Sequence, residues 1–217
     1  MNTLSLAIPK GRLQDQMLEL LNRNGIPLAF EARKLTASDR ERRISAILVK
    51  NSDLPVYVTH GIAGLGVCGE DVLFESGRGP NVAQDTDLMR LGRLPFGSTK
   101  MCLAGLSENG SGLAESGKMV VATKFTRFTR SHFHNRGRDV EIIKLNGSVE
   151  LAPLLGLAPY IVDIVETGTT LRANGLEIIE ELQDISVFLV ANPSYYKLNF
   201  RRIDEFIRSL GMETAWQ

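Results

Sequence analysis

The sequence predicts an α/β protein of two lobes. Short β-rich runs alternate with stretches of helical periodicity, the pattern of βα units. The Gly/Pro-containing stretch Leu91-Gly92-Arg93-Leu94-Pro95-Phe96-Gly97 breaks that alternation near mid-chain, where a crossing between lobes is expected. A second crossing is expected near Asp184–Ile185, because the terminal strand and helix need a sheet to join. The lobes predicted are residues 1–93 plus 186–217, and residues 94–185. Two such lobes leave a cleft between them, a preferred place for small ligands.

Each element follows from local pattern. Leu4–Ile8 is a buried strand, and Gln14–Leu21 sets Met17, Leu18, Leu20 and Leu21 on one helical stripe that Gly25 and Pro27 end. Strands are predicted at Ile44–Val49 and Leu65–Cys68, with a helix from Glu70 to Glu75. Met101–Leu106 and Met119–Thr123 read as strands around a Ser/Gly-rich turn at Ser107–Gly117. Val140–Leu145 is a strand, Val149–Leu155 a short helix, and Tyr160–Val165 a strand running into a tight polar loop. Ile185–Ala191 is the last strand and Ile203–Leu210 the closing helix.

Composition narrows the function classes. With 43% hydrophobic and 23% charged residues, the 217-residue chain is ordinary for a soluble globular protein, not disordered or collagen-like. Lys+Arg (25) balance Asp+Glu (25), so no global field draws it to nucleic acid or anionic membrane, and any anion must be held locally. Cys68 and Cys102 show no zinc spacing, so a reducing compartment is expected rather than a disulfide framework. No apolar run is long enough to span a membrane, and Leu4–Ile8 is too short for a signal-peptide core. A cytoplasmic location is expected.

Several motifs resemble chemistry without its context. Gly64-Leu65-Gly66-Val67-Cys68-Gly69 has the GxGxxG spelling, but its apolar residues make the motif itself the strand, where a dinucleotide site needs the strand before it. Gly112–Lys118 has Walker A spacing yet ends in Met119 where magnesium needs a hydroxyl, so it reads as a turn. His132 and His134, two apart, do not share a helical face for joint metal binding. Lys124–Arg138 carries five Lys/Arg and no acid, interleaved with Phe125, Phe128 and Phe133. RNA stacking is conceivable there, but an amphipathic helix with a phenylalanine core face is the expectation.

The informative segment is Asp163-Ile164-Val165-Glu166-Thr167-Gly168-Thr169-Thr170-Leu171. It reads as a strand ending in carboxylates, then a loop of hydroxyls and one glycine that opens a helix. Thr167, Thr169 and Thr170 offer side-chain donors, and Gly168 lets successive N–H groups converge where the helix dipole adds positive charge. A bare Thr-Gly-Thr-Thr also serves as a helix N-cap. The acids just upstream add something an N-cap does not need. Asp163 and Glu166 suit vicinal ribose hydroxyls, since a carboxylate accepts two hydrogen bonds side by side. Phosphate plus diol in one loop points to a 5-phosphoribosyl group.

The run Glu150-x5-Gly156-x-Ala158-x2-Ile161-x-Asp163-Ile164-x2-Thr167-Gly168-x-Thr170-Leu171 resembles the signature of ATP phosphoribosyltransferase, the first enzyme of histidine biosynthesis. Ala7-Ile8-Pro9-Lys10-Gly11-Arg12-Leu13, Arg33-Lys34-Leu35, Asp53-Leu54-Pro55-x-Tyr57-Val58-x-x-Gly61 and Ala122-Thr123-Lys124-Phe125 fit the same family, so the resemblance covers nearly the whole chain. It implies a fold of the type II periplasmic-binding-protein kind, with the second lobe carrying the phosphoribosyl loop. It also implies transfer of the phosphoribosyl group from phosphoribosyl pyrophosphate to N1 of ATP, with Mg²⁺ carried by the substrate rather than by a dedicated protein site. The implied catalytic residues are Lys10, Arg33, Lys50 and Asp163. Asp163, Glu166, Thr167, Gly168, Thr169 and Thr170 would bind the phosphoribosyl group, and Lys10, Gly11, Arg12, Arg33, Lys50 and Glu150 the nucleotide and pyrophosphate.

Two positions depart from the family pattern. Lys50 stands where arginine is usual, so it can neutralise a phosphate but not grip it bidentately. Gly64 stands where aspartate is common. Only seven residues follow Leu210, so the resemblance is to the short form. That form is a homodimer by itself and a hetero-octamer with a regulatory relative of histidyl-tRNA synthetase. The other reading is a non-catalytic bilobal small-molecule-binding or sensor module. Such a module has no reason for acids ahead of a Thr-Gly-Thr-Thr loop.

Overall fold

The computed structural model describes residues 3–39, 41, 43–77, 88–107 and 119–212. The chain forms two compact units, residues 1–97 with 186–217, and residues 98–185. The first stretch holds β1 (Leu4–Pro9), α1 (Arg12–Arg23), β2 (Thr36–Ser38), β3 (Ile44–Val49), α2 (Leu54–Thr59), β4 (Leu65–Gly69), α3 (Glu70–Glu75) and β5 (Met89–Arg93). The second unit holds β6 (Thr99–Leu106), β7 (Met119–Thr123), α4 (Thr126–His134), β8 (Val140–Lys144), α5 (Leu151–Leu154), β9 (Tyr160–Val165), α6 (Thr169–Ala173) and β10 (Leu176–Ile185). β11 (Val187–Ala191) and α7 (Pro193–Ser209) close the chain.

In the first unit six strands run in the order β2-β3-β1-β4-β11-β5. β1 is parallel to β3 and β4, in register Pro9↔Val49 and Leu6↔Leu65. Because β1 lies inside the sheet, Leu4, Leu6, Ala7 and Ile8 are all buried, and it reads as a continuous apolar run instead of an alternating one. α1 lays Met17 and Leu21 into the same core and ends at Gly25, whose φ of 72° only glycine adopts freely. The Gly25 amide donates to Asn22 and the Ile26 amide to Leu21, a Schellman stop. α7 seats Ile203, Phe206 and Ile207 on that core. Each such side chain contributes about 1.5–3 kcal/mol by burial.

Gly64 has a spatial explanation. A Cβ there would lie 2.1 Å from the Tyr195 ring, so the aromatic fills the volume a side chain would need. The Tyr195 hydroxyl accepts the Ser5 amide at 3.1 Å, and Ser5 Oγ accepts the Gly64 amide at 2.7 Å. Asn192 caps α7 by accepting the Tyr195 amide at 3.0 Å, and its amide group donates to the Val58 and Thr59 carbonyls. Gly64→Asp is therefore expected to destabilise the protein by about 1–3 kcal/mol through overpacking. Denaturant unfolding would show this, and Gly64→Asp with Tyr195→Ala should recover part of the loss.

The second unit is a five-stranded sheet in the order β10-β6-β9-β7-β8. β7 is parallel to β8 and to β9, with Thr123↔Val162, while β6 runs antiparallel to β9 and β10. Phe125, Phe128 and Phe133 are buried, so α4 presents a phenylalanine core face as expected. Among the described residues no helix is long and apolar enough to cross a membrane.

Four elements were not anticipated. β2 is only three residues long and polar, and α2 is six residues opened by a 3-10 turn at Asn51–Asp53. β5 occupies part of the stretch read as a crossing, with Leu91 buried, and the first unit runs on to Gly97. β10 is an edge strand with Glu177, Glu180, Glu181 and Asp184 along it and only its end residues buried, so it lacks the alternation of a half-buried strand. Of the expected turn at Ser107–Gly117, the residues after Ser107 lie outside the described residues, as does Gly112–Lys118.

Candidate active site

In the first unit the sequence-predicted cations gather at the carboxyl ends of parallel strands, where open α/β sheets bind ligands. The Lys10 amide donates to the Val49 carbonyl at 2.9 Å, which continues the β1–β3 ladder and sets Lys10 beside Lys50. Arg33 reaches the same end through β2. Thr36 pairs with Ile47, the Leu48 amide donates to the Leu35 carbonyl at 2.8 Å, and Arg33 lies two residues further back. It holds a left-handed φ of 65°, uncommon for a residue with a Cβ. Asp39 fixes this register by accepting the Ile44 amide and the Arg43 guanidinium. Burial acts to raise the Asp39 carboxyl, but those bonds outweigh it and hold it below the usual carboxylate range.

Gly11 caps α1 at φ 98°, ψ −151°, a conformation closed to other residues, and Arg12 follows as the first helical residue. A Cβ on Gly11 would meet nothing within 4 Å, so the requirement is conformational, with open space left over the backbone. Lys10, Arg33 and Lys50 are exposed and make no ion pair among the described residues. Like charges at one sheet edge repel unless an anion joins them.

In the second unit β9 carries Asp163 out of the core. Tyr160 to Val162 are buried and Asp163 to Val165 only partly so. Asp163 Oδ1 is shielded from solvent yet receives no hydrogen bond. Lys124 Nζ lies 3.2 Å from it, off the line of a hydrogen bond. An unsatisfied, sheltered carboxylate oxygen is costly unless a ligand's donor completes it. Beyond Val165, Glu166 and Thr167 are exposed, and Gly168 turns the chain at φ 69°, ψ 7°. Arg172 N–H donates to the Gly168 carbonyl at 3.0 Å, the first bond of the helical turn, so the N–H groups ahead of it have no intrahelical acceptor. Thr167 and Thr169 share a hydroxyl–hydroxyl bond of 2.9 Å, and Thr169 and Thr170 are exposed.

One sequence expectation needs correction here. α6 is only five residues long, so its dipole adds little, and capture of an anion falls to the loop's N–H and hydroxyl groups. Glu150 stands just ahead of α5 without a side-chain capping bond, and its neighbour Val149 shares a buried cluster with Leu171 of α6. The predicted residues thus form two groups. Lys10, Gly11, Arg12, Arg33 and Lys50 stand on the first unit, and Glu150, Asp163, Glu166, Thr167, Gly168, Thr169 and Thr170 on the second.

Sequence reasoning missed two residues beside the loop. Arg172 Nη2 donates to the Thr167 carbonyl at 2.8 Å, and Lys124 sits against Asp163. Two signals reached Lys124: the basic run after β7, which was absorbed into the helix reading, and the family match at Ala122-Thr123-Lys124-Phe125, to which no role was given. Burial raises the Cys68 thiol well above its ordinary value and pushes Cys102 up to about 11, so neither supplies a thiolate. Burial also lowers His132, which packs against the Phe128 and Phe133 rings. No three His, Cys, Asp or Glu side chains among the described residues converge to cage a metal ion.

Comparison with known proteins gives the family. Residues 50–212 match the family described as "HisG: ATP phosphoribosyltransferase". The chain is 43% identical over 213 residues to the ATP phosphoribosyltransferase of Thermoanaerobacter sp. (strain X514), covering 97% of this chain and 95% of that protein. Among solved structures it is similar to the ATP phosphoribosyl transferase (HisG:HisZ) complex from Thermotoga maritima, with a TM-score of 0.79, 37% identity, and coverage of 96% and 97% of the two chains. It is also similar to the periplasmic aliphatic sulphonate binding protein SsuA from Escherichia coli, at a TM-score of 0.65 and 15% identity over 97% of this chain and 72% of that one. The last likeness shows the fold alone, and it bears out the periplasmic-binding-protein-like α/β class. The chain belongs to the ATP phosphoribosyltransferase family, which carries out the first step of histidine biosynthesis.

Proposed function

We propose that the loop from Asp163 to Thr170 holds the 5-phosphoribosyl group of phosphoribosyl pyrophosphate, and that Lys10, Arg12, Arg33 and Lys50 bind the phosphates of pyrophosphate and ATP. The observation that carries this reading is the sheltered Asp163 Oδ1, which receives no hydrogen bond and stands at the entrance to a loop of exposed threonine hydroxyls turned by Gly168. A ribose hydroxyl supplies the donor that oxygen lacks, and the 5-phosphate takes the loop's donors. Adenine N1 of ATP carries a lone pair at neutral pH. It forms the bond to ribose C1 as the C1–O bond breaks and the electron pair leaves with pyrophosphate. No strong base is needed, so the protein's part is positioning and stabilisation of the charge on the leaving group.

The Mg²⁺ this reaction implies would be carried by the substrate's phosphates rather than by a dedicated protein site, since it dehydrates reluctantly and usually keeps several of its waters. When bound it neutralises pyrophosphate charge. Mixing the protein with ATP, phosphoribosyl pyrophosphate and Mg²⁺ tests the reading. Pyrophosphate release should require both substrates, and release without ATP or none at all would refute it.

Lys50 offers a finer test. Lys50→Arg should retain activity, because a guanidinium serves the same phosphate. Lys50→Ala should lower kcat and kcat/KM together, as loss of a transition-state contact does. Unchanged kinetics in the alanine variant would place Lys50 outside the reaction.

The Thermotoga relative was solved as a HisG:HisZ complex. For this chain the assembly proposed is a homodimer that joins a regulatory, histidyl-tRNA-synthetase-like subunit in a hetero-octamer. Histidine can shift activity only through a site that binds it differently in two states. With that site placed on the regulatory subunit, the isolated protein should turn over with little inhibition by histidine, and adding the regulatory subunit should raise activity and confer inhibition. Strong inhibition of the isolated chain at low histidine would contradict this.

A further inference from the structure

We infer that Lys124 is a further donor-binding residue, the resting counter-ion of Asp163 that exchanges the carboxylate for a phosphate oxygen when the phosphoribosyl donor binds. The inference rests on the phosphoribosyl reading of the Asp163–Thr170 loop and adds a cation to it. The placement begins with the parallel pairing of β7 and β9, which brings Thr123 level with Val162. Thr123 is fully buried, and its hydroxyl donates to the Val162 carbonyl at 2.6 Å while accepting the Phe125 amide at 2.9 Å. Those two bonds fix the chain as it leaves the strand and set Lys124 beside the next residue of β9, Asp163.

The ammonium is held from two sides. Nζ lies 3.2 Å from Asp163 Oδ1 and 4.8 Å from the centre of the Phe125 ring. Its side chain is 45% exposed against 26% for Asp163, so its remaining N–H donors are open to a ligand. The contact with Oδ1 is close but makes no hydrogen bond, which leaves that oxygen charge-balanced and still open to a ligand's donor.

A sugar diol completes Oδ1 without needing the lysine. The ammonium then sits next to a molecule bearing a 5-phosphate and a pyrophosphate. The phosphates of ATP, proposed above to meet Lys10, Arg12, Arg33 and Lys50, do not involve this pair. The exchange swaps one anion for another, and no proton or covalent bond changes hands.

Calorimetric binding and steady-state kinetics on the whole protein test this. Lys124→Met should weaken binding of phosphoribosyl pyrophosphate about tenfold or more, the scale of one charge-assisted hydrogen bond. KM for ATP should stay within about twofold, and Lys124→Arg should restore most of the donor affinity. Ribose 5-phosphate and inorganic pyrophosphate as separate probes identify the phosphate concerned. A loss shared by ribose 5-phosphate assigns the 5-phosphate, and a loss shared by pyrophosphate assigns the leaving group.

Donor affinity unchanged in Lys124→Met would overturn the inference. So would an arginine variant as impaired as the methionine one, or equal losses for ATP and donor, which mark a structural role. Failure of the unsubstituted protein to bind phosphoribosyl pyrophosphate would instead overturn the phosphoribosyl reading, and the inference with it.

Discussion

Asp163→Ala is expected to lower kcat/KM for the phosphoribosyl donor by about 10²–10⁴-fold, while the protein remains folded. A carboxylate that takes two ribose hydroxyls contributes about 1.5–3 kcal/mol for each charge-assisted bond, and removing it forfeits both. The fold should tolerate the change, because Asp163 is partly exposed and so is its ion pair with Lys124. Such pairs contribute about 1 kcal/mol at most. Thr170→Ala should also reduce turnover, by removing a hydroxyl from the loop. Steady-state kinetics alongside a thermal melt separate the two effects. Near-normal activity in both variants would remove the phosphoribosyl assignment.

Gly168→Val is expected to raise KM for the same donor by at least about tenfold, with a smaller loss of global stability. At φ 69° a residue with a Cβ costs roughly 1–2 kcal/mol, and a β-branched one more. The new Cβ would also lie 3.0 Å from Arg172 Nη1, crowding the guanidinium that now holds the Thr167 carbonyl. Both consequences disturb the turn that aims the loop's N–H groups. Gly168→Asn should be milder, since asparagine visits the left-handed region more readily. A donor titration of the two variants orders them. Equal, wild-type KM values would mean that the turn does not shape the site.

Much of the fold was legible because burial and periodicity coincide. Tyr160–Val165 and Glu70–Glu75 match the predicted bounds, and the GxGxxG spelling is strand β4 itself, as its internal apolar residues require. What escaped lacks that coincidence. β10 is an acidic edge strand paired only with β6 and interrupted by register shifts at Ile178/Glu180 and Glu181/Gln183, so no period survives in its sequence. β2 is set by its pairing with β3 and by the Asp39 anchor rather than by any apolar pattern of its own.

The site divides similarly. Asp163 and the threonine loop announce themselves, because acids, hydroxyls and a glycine stand together in sequence. Lys10 and Lys50 become neighbours only through the β1–β3 register, and the resemblance rather than their spacing pointed to them. Lys124 approaches Asp163 across 39 residues of sequence, a distance that no local motif bridges.

The most direct test of the central claim is a crystal structure of this protein with phosphoribosyl pyrophosphate bound. The account predicts a ribose hydroxyl within hydrogen-bond distance of Asp163 Oδ1 and the 5-phosphate against the N–H and hydroxyl groups of Thr167–Thr170. A phosphoribosyl group bound elsewhere, with Asp163 Oδ1 still lacking a donor, would contradict it.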